Sequence, residues 1–245
     1  MTGQGDLTEH LRRQLGWYTE WWRWLLQGKV LPGLPPRPSA LDVGCGPGFV
    51  MDSLSDILDV QGVDRDQDMV SAGRAKGARV VKGDARNLPF EDGSFDIVYC
   101  TFLMVWAEDQ VAVLREMRRV SRRWVLCLAE PDYEARVDFP LELKGLTRSI
   151  VEGVRWAGGD PCAGRRLRHL FASCGLEAEV GVHPGIWSLP RSRHESPQEW
   201  EWARSLAGDA AEEGELRRLR AIWEKALEEG SLLQFNPTFY ALARK

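Results

Sequence analysis

The sequence predicts an α/β protein, a doubly wound sandwich around a mainly parallel sheet, and three observations predict it. Short apolar runs alternate with helix-period segments from residue 39 onward, the pattern that a parallel sheet with right-handed crossovers requires. The first apolar run, Ala40-Leu41-Asp42-Val43, leads straight into Gly44-Cys45-Gly46-Pro47-Gly48. Glycine at alternate positions permits positive φ and leaves the space over the strand end free. Asp64 and Asp84 close the second and third runs, setting two carboxylates at the strand ends where open α/β sheets bind ligands.

The N-terminal stretch comes first. A helix is expected over 7–27, where Trp17, Tyr18, Trp21, Trp22 and Trp24 crowd into two turns, and Gly28 ends it before the proline-rich stretch 31–38. Strands are expected at 40–45, 60–63, 79–82, 95–100 and 124–129, with helices at 49–58, 68–76 and 108–120 between them. Helices at 141–157 and 164–174 then precede a strand at 177–182, and a polar helical stretch, 197–229, separates it from a last strand at 238–243. The chain therefore divides into residues 1–38, an aromatic helix and linker, and residues 39–245, one α/β domain with helical insertions at about 137–174 and 190–235.

Composition narrows the function. The 245 residues carry a net charge of −4, without the basic stripe that binding to nucleic-acid phosphates demands. Five cysteines, an odd number with no Cys-x-x-Cys pair, fit a reducing cytoplasm better than a disulfide framework or a zinc site. No apolar run approaches the roughly 18 residues of a membrane span. His10, His169, His183 and His194 lack metal-ligand spacing, so no metal is expected.

The two acidic positions acquire meaning together. Asp64 is placed to accept hydrogen bonds from a ribose diol, and Asp84 from an exocyclic amino group such as that of adenine, with the Ala85 N–H free for a ring nitrogen. A dinucleotide fingerprint would need a third glycine where Phe49 stands. The observed Gly-x-Gly-x-Gly, with Gln61-Gly62-Val63-Asp64, Gly83-Asp84-Ala85 and Asp92-Gly93-Ser94-Phe95-Asp96-Ile97-Val98, resembles the class I S-adenosylmethionine-dependent methyltransferases. The likeness spans about residues 39–131 and is nearest to small-molecule enzymes such as those of quinone biosynthesis.

That resemblance implies a seven-stranded sheet ordered 3-2-1-4-5-7-6 with strand 7 antiparallel, and S-adenosylmethionine as cofactor, leaving S-adenosylhomocysteine. Asp42 would approach the methionine amino group, and Gly44, Cys45 and Gly46 would touch the methionine moiety. Asp64 would hold the ribose, Arg65 and Met69 would flank the adenine, and Asp84, Ala85, Thr101 and Phe102 would complete the base site. The leading helix would be a cofactor lid, Tyr18 bonding the methionine carboxylate and Trp22 closing the pocket; the same tryptophans also suit packing on the sheet. The family's frequent Pro-Gly-Gly before strand 5 is replaced by Ser121-Arg122-Arg123-Trp124.

Methyl transfer from a sulfonium needs alignment and exclusion of water more than a nucleophile. Where the acceptor is a hydroxyl, Tyr133 and Glu130 after the fifth strand are the expected catalytic residues, although that stretch also reads as a loop cap with salt bridges. The Asn/Asp-Pro-Pro-Tyr of base methylases is missing after the fourth strand. A small-molecule acceptor is therefore expected, in a pocket lined by Trp106, Tyr133, Trp156 and Trp187, with no nucleic acid or membrane as partner and a monomer or homodimer as the assembly. A non-catalytic cofactor-binding subunit, a protein methyltransferase and an aminopropyl transferase are the alternatives on this fold.

Overall fold

The structure, a computed structural model, describes residues 4–185, 187–208 and 212–245, with the side chains of 4–8 and 14 outside the description. Residues 1–3 of the N-terminal segment and 209–211 of the expected 197–229 helical stretch lie outside the described residues. The strands are β1 (Ser39–Val43), β2 (Asp59–Asp64), β3 (Val80–Lys82), β4 (Phe95–Thr101), β5 (Ser121–Pro131), β6 (Val137–Phe139), β7 (Ala178–Val182), β8 (Leu233–Phe235) and β9 (Thr238–Arg244). Seven form one sheet in the order β3-β2-β1-β4-β5-β9-β7, and β6 with β8 forms a separate ribbon. β1 to β5 are parallel, and β9 runs antiparallel between β5 and β7. This is the expected order, with the chain's last strand in the antiparallel place.

Period-two alternation gives the sheet two faces. Leu41, Val43, Val98, Cys100, Val125, Cys127, Ala241 and Ala243 share one core, while Ala40, Ile97, Tyr99, Leu126, Leu128 and Leu242 face the other. The first face is covered by α4 (Gln110–Val120) and α6 (Ala163–Ser173). The second is covered by α1 (Gln4–Leu25), α2 (Phe49–Leu54) and α3 (Gln67–Ala75), with Trp22, Leu25 and Leu26 fully buried against Leu54 and Leu58. Gly28 does not stop the first helix: a π-helical turn, Leu26–Val30, carries it on. The wider turn keeps both Leu26 and Val30 buried on the sheet, and that burial outweighs glycine's preference for a cap.

The unusual entry into the fifth strand is built by arginine. α4 passes directly into β5 at Ser121, and Arg122 donates to the Gly93 and Ser94 carbonyls and to Asp96. Farther along, the register with β4 slips after Cys100–Cys127, so that Thr101 pairs with Ala129. Such a bulge bends the strand and re-aims the residues beyond it.

The late chain forms α5 (Lys144–Trp156), α7 (Leu189–Ala207) and α8 (Glu213–Glu229), which pack together beyond the strands' C-terminal ends, whereas α6 lies on β5, β7 and β9. The expected insertions thus separate physically: α6 belongs to the sandwich. No described helix is long and apolar enough to cross a membrane. α5 and α7 touch at Gly153, where a β-carbon would collide with the Leu206 and Ala207 carbonyls. Gly153→Ala is expected to cost about 1–3 kcal/mol by overpacking, read as a lower urea midpoint at unchanged m-value.

Candidate functional site

The parallel register brings the ends of β1, β2, β3 and β4 side by side, Val43 opposite Val63 and Cys100, Asp64 opposite Lys82. Gly44, Gly46 and Gly48 all have positive φ, at 73°, 51° and 82°. The turn they make is pinned to β2: Gly44 and Cys45 donate to the Val63 carbonyl at 2.8 and 3.1 Å, and Gly46 donates to Asp64 Oδ2 at 2.7 Å. Asp64 Oδ1 accepts from the Asp66 N–H at 2.9 Å. A β-carbon on Gly46 would meet nothing within 4 Å, because it would stand in open space. One on Gly62 would strike Cys45 Sγ and Met51 Sδ, so that small residue lets the turn lie flat on β2.

A cavity of about 380 Å³ opens over this turn. Gly44, Cys45, Gly46, Asp64, Arg65 and Met69 form one wall, and Asp84, Ala85, Thr101 and Phe102 another. Trp22 closes it from α1, fully buried and with its Nε1 unpartnered. Asp84 is held by Arg86, whose guanidinium lies 2.8 Å from Oδ2, and this pushes its carboxyl down to about 2. Arg86 also reaches Glu108 at 3.0 Å, closing the outer rim. Asp42 does not reach the wall. It is fully buried under the turn, opposite Tyr99 on β4, and burial pushes it up to about 8 although the neighbouring phenol favours its charged form.

Glu130 decides the shape of the next wall. Fully buried at the end of β5, its Oε1 accepts from the Leu103 and Met104 N–H groups at 3.0 and 3.1 Å, and Oε2 from Val105 at 3.3 Å. Burial raises its carboxyl to about 7, against the pull of those three donors. Both oxygens are occupied and neither cavity touches it, so the expected catalytic role for Glu130 is corrected to a backbone clamp. The clamp holds the preceding Phe102 at φ 53°, a left-handed conformation rare for an aromatic residue. With Cys100 and Cys127, Glu130 forms a cluster whose ligand atoms lie within 4.8 Å, but burial keeps both thiols protonated.

A second cavity, of about 590 Å³, lies on the far side of Phe102. Phe102, Tyr133, His10 and Trp202 line both. Its walls come from α1 (Trp17, Tyr18, Trp21), from α7 (Arg191, Glu199) and from the segment before β9 (Phe235, Asn236). His10 on α1 stacks on Trp202 of α7, ring centroids 3.6 Å apart. Tyr18 belongs here and not to the first cavity: its hydroxyl is 2.9 Å from Thr238 Oγ1, its ring meets Phe102 and His183, and burial raises it to about 12. The long-range contact with β9 turns it away from the first cavity. His183, buried, donates from Nε2 to the Leu128 carbonyl at the β5 bulge.

Among the expected catalytic residues Tyr133 faces both cavities, and burial raises its phenol above the ordinary value, which suits it to donate a hydrogen bond and not to act as a base. Its neighbours Asp132 and Glu134 are taken by Arg165 and Arg155. The four-residue aromatic pocket does not assemble: Trp187 and Tyr133 line the second cavity, Trp106 the first, and Trp156 is 71% exposed at the end of α5. Glu199 and His10 escape a reading of the sequence. They lie 189 positions apart, and no local pattern joins them.

Residues 41–127 match the model of a methyltransferase domain family. The chain is 37% identical over 107 residues to the demethylmenaquinone methyltransferase of Staphylococcus aureus, which covers 39% of this chain and 44% of that protein. It is 34% identical over 168 residues to an uncharacterized 37.1 kDa protein in transposon TN4556 of Streptomyces fradiae, 62% of this chain and 48% of the other. The chain thus spans about half the length of these curated relatives. A crystal structure from Bacillus halodurans C-125, described as a candidate methyltransferase, superposes with a TM-score of 0.59 over 87% of this chain and 94% of that one at 16% identity, a likeness of fold.

Removing the clamp tests it. Glu130→Ala strands three buried N–H donors and is expected to cost about 3 kcal/mol or more. Because burial raises Glu130 from 4.5 to about 7, the wild type's advantage is full below pH ~4.5 and shrinks as pH rises through about 7. Paired urea titrations across that range measure the difference.

Proposed function

We propose that residues 41–127, which match a methyltransferase domain model, are a class I S-adenosylmethionine-dependent methyltransferase domain, and that the chain transfers the methyl group of S-adenosylmethionine to a small-molecule acceptor, leaving S-adenosylhomocysteine. The observation that carries the reading is the pair of cavities meeting at Phe102, Tyr133, His10 and Trp202, one over the glycine turn and one beside it. A donor in the first and an acceptor in the second would face each other at that junction.

The first cavity fits the cofactor. The space over Gly46 is free for a ligand, and the buried Trp22 Nε1 has no partner within the protein. Gly44, Cys45 and Gly46 would hold the methionine portion, with Asp42 supporting them from below and Trp22 closing that end. Asp64 keeps lone pairs free for the ribose hydroxyls while it binds Gly46 and Asp66. Arg65 and Met69 would flank the adenine, with Asp84, Ala85, Thr101 and Phe102 at its edge. When bound, the sulfonium supplies an electrophilic methyl carbon. The chain's part is to align the two ligands and keep water out, which α1 and α7 do by closing over the junction.

A concave second cavity with Trp17, Tyr18, Tyr133, Trp187 and Trp202 on its walls supports a small molecule over a protein side chain as acceptor. The free thiols of all five cysteines support a reducing compartment, the cytoplasm. Titration calorimetry with S-adenosylmethionine tests the reading. Saturable binding is expected, and Asp64→Ala is expected to weaken it by about tenfold to a hundredfold, the worth of hydrogen bonds to a charged group. A wild-type chain that binds no S-adenosylmethionine overturns the proposal.

A further inference from the structure

The second cavity gathers buried polar atoms that the protein leaves without hydrogen bonds. Both ring nitrogens of His10, Trp17 Nε1, Glu199 Oε1 and Asn236 Oδ1 are buried and unbonded, and all four residues line it. Several of its other polar groups have partners. Tyr18 is bonded to Thr238, His183 to Leu128, and Arg136 to Asp138 at 2.9 and 3.0 Å. Arg13 is hydrogen-bonded to Glu195 and forms a long ion pair with Glu199 Oε1 at 4.0 Å, without a hydrogen bond to it. Glu199 is thus the one carboxylate among the described lining residues, and its free oxygen is buried at the cavity wall. A buried acceptor atom without a donor costs about 1–3 kcal/mol, a cost that a ligand's O–H or N–H removes.

We propose that Glu199 is the proton acceptor of the reaction, and that the second cavity takes a planar aromatic molecule that presents a hydroxyl or amine N–H to it. This rests on the methyl-transfer reading above. The acceptor's heteroatom gives its lone pair to the methyl carbon, the carbon–sulfur bond breaks with its pair going to sulfur, and the heteroatom's proton passes to the Glu199 carboxylate. Indole and phenol faces from Trp17, Tyr18, Trp187 and Trp202 favour a flat ring, which stacks on them at little entropic cost.

The other candidates fit the proton's path less well. Burial pushes His10 down to about 3, too weak a base, and keeps Tyr18 and Tyr133 protonated. Glu199 is raised to about 7 by burial, against Arg136 and Arg13 and with help from Glu195, and a base works best with its own value near the operating pH. The groups facing it are Arg13, His10 and Tyr18 from α1, Glu195 and Arg191 from α7 itself, and Arg136 and Tyr133 after β5. α5 offers the apolar Ile150, and α8 meets α7 through Trp223, whose N–H donates to Ser196.

The test uses 2-naphthol and naphthalene, followed by quenching of tryptophan fluorescence in the full chain, with S-adenosylmethionine calorimetry run beside it. Above pH ~7 the ionised Glu199 should make 2-naphthol bind about ten times or more tighter than naphthalene, the worth of a charge-assisted hydrogen bond. That preference should fall as pH drops through about 7 and stay flat in Glu199→Gln, which should bind S-adenosylmethionine within about twofold of the wild type. Methyl transfer to 2-naphthol with the same pH dependence would add support. In a chain that binds S-adenosylmethionine, equal affinity for the two probes, or an unchanged pH dependence in Glu199→Gln, overturns the assignment. A Glu199-dependent preference in a chain that binds no S-adenosylmethionine would instead keep the aromatic site and remove the methyl-transfer reading.

Discussion

Three consecutive backbone N–H groups, those of Leu103, Met104 and Val105, point into the carboxylate of Glu130, and both cavities take their shape from that contact. A carboxylate in the core is costly unless its lone pairs are met, and here the donors come from a turn that has no ladder partner of its own. Each side solves the other's problem. The bulge in β5 between Cys127 and Ala129 is what brings Glu130 round to the turn. With the turn held, Phe102 is forced into its left-handed conformation and becomes the partition between the two cavities.

The glycine turn at the end of β1 depends on the same arrangement from the other side. Leu103 packs over Gly44, where a β-carbon would come within 2.8 Å of its Cδ1. Asp64 then fixes the turn's far edge through the Gly46 N–H. Two acidic groups, one at the end of β2 and one at the end of β5, thus set the width of the cleft. Asp42 takes no part in the wall: it lies one layer below, opposite Tyr99 on the α1 side of the sheet.

How much of this is legible in the sequence depends on how local each cause is. The sandwich, the strand ends and Gly44, Gly46, Asp64 and Asp84 are legible because a period-two run, a turn and the residue after a strand all lie within a few positions of each other. Tyr18 is not, because its partner, Thr238, is 220 positions away and the helix period alone does not say which cavity a tyrosine faces. The place of Glu130 after β5 suggests a base; a bulge that re-aims one side chain leaves no trace in an apolar run. Trp156 sits at helical spacing with buried residues yet faces outward, since α5 buries the stripe through Leu146, Ile150 and Val154 against α7 and the core.

The division between the cavities also divides the chain. Every residue on the first cavity's walls except His10, Leu11, Leu15, Trp22, Val113, Tyr133 and Trp202 comes from the stretch between β1 and the start of α4. The second is assembled from α1, from the segments after β5 and β7, from α5 and α7, and from the stretch from β8 to the start of β9, with Phe102 between the two cavities. Apart from Leu11, Leu15 and Trp22 of α1, which line the first cavity alone, those parts meet it at the partition and at the His10–Trp202 stack. A substitution on α7 can therefore alter which molecule the second cavity accepts while the hydrogen bonds around Gly46 and Asp64 stay as they are. The late helices also carry Glu199, so in the proposed reaction the choice of acceptor and the removal of its proton would sit on one element, and the strand ends of the sheet would be left to hold the donor.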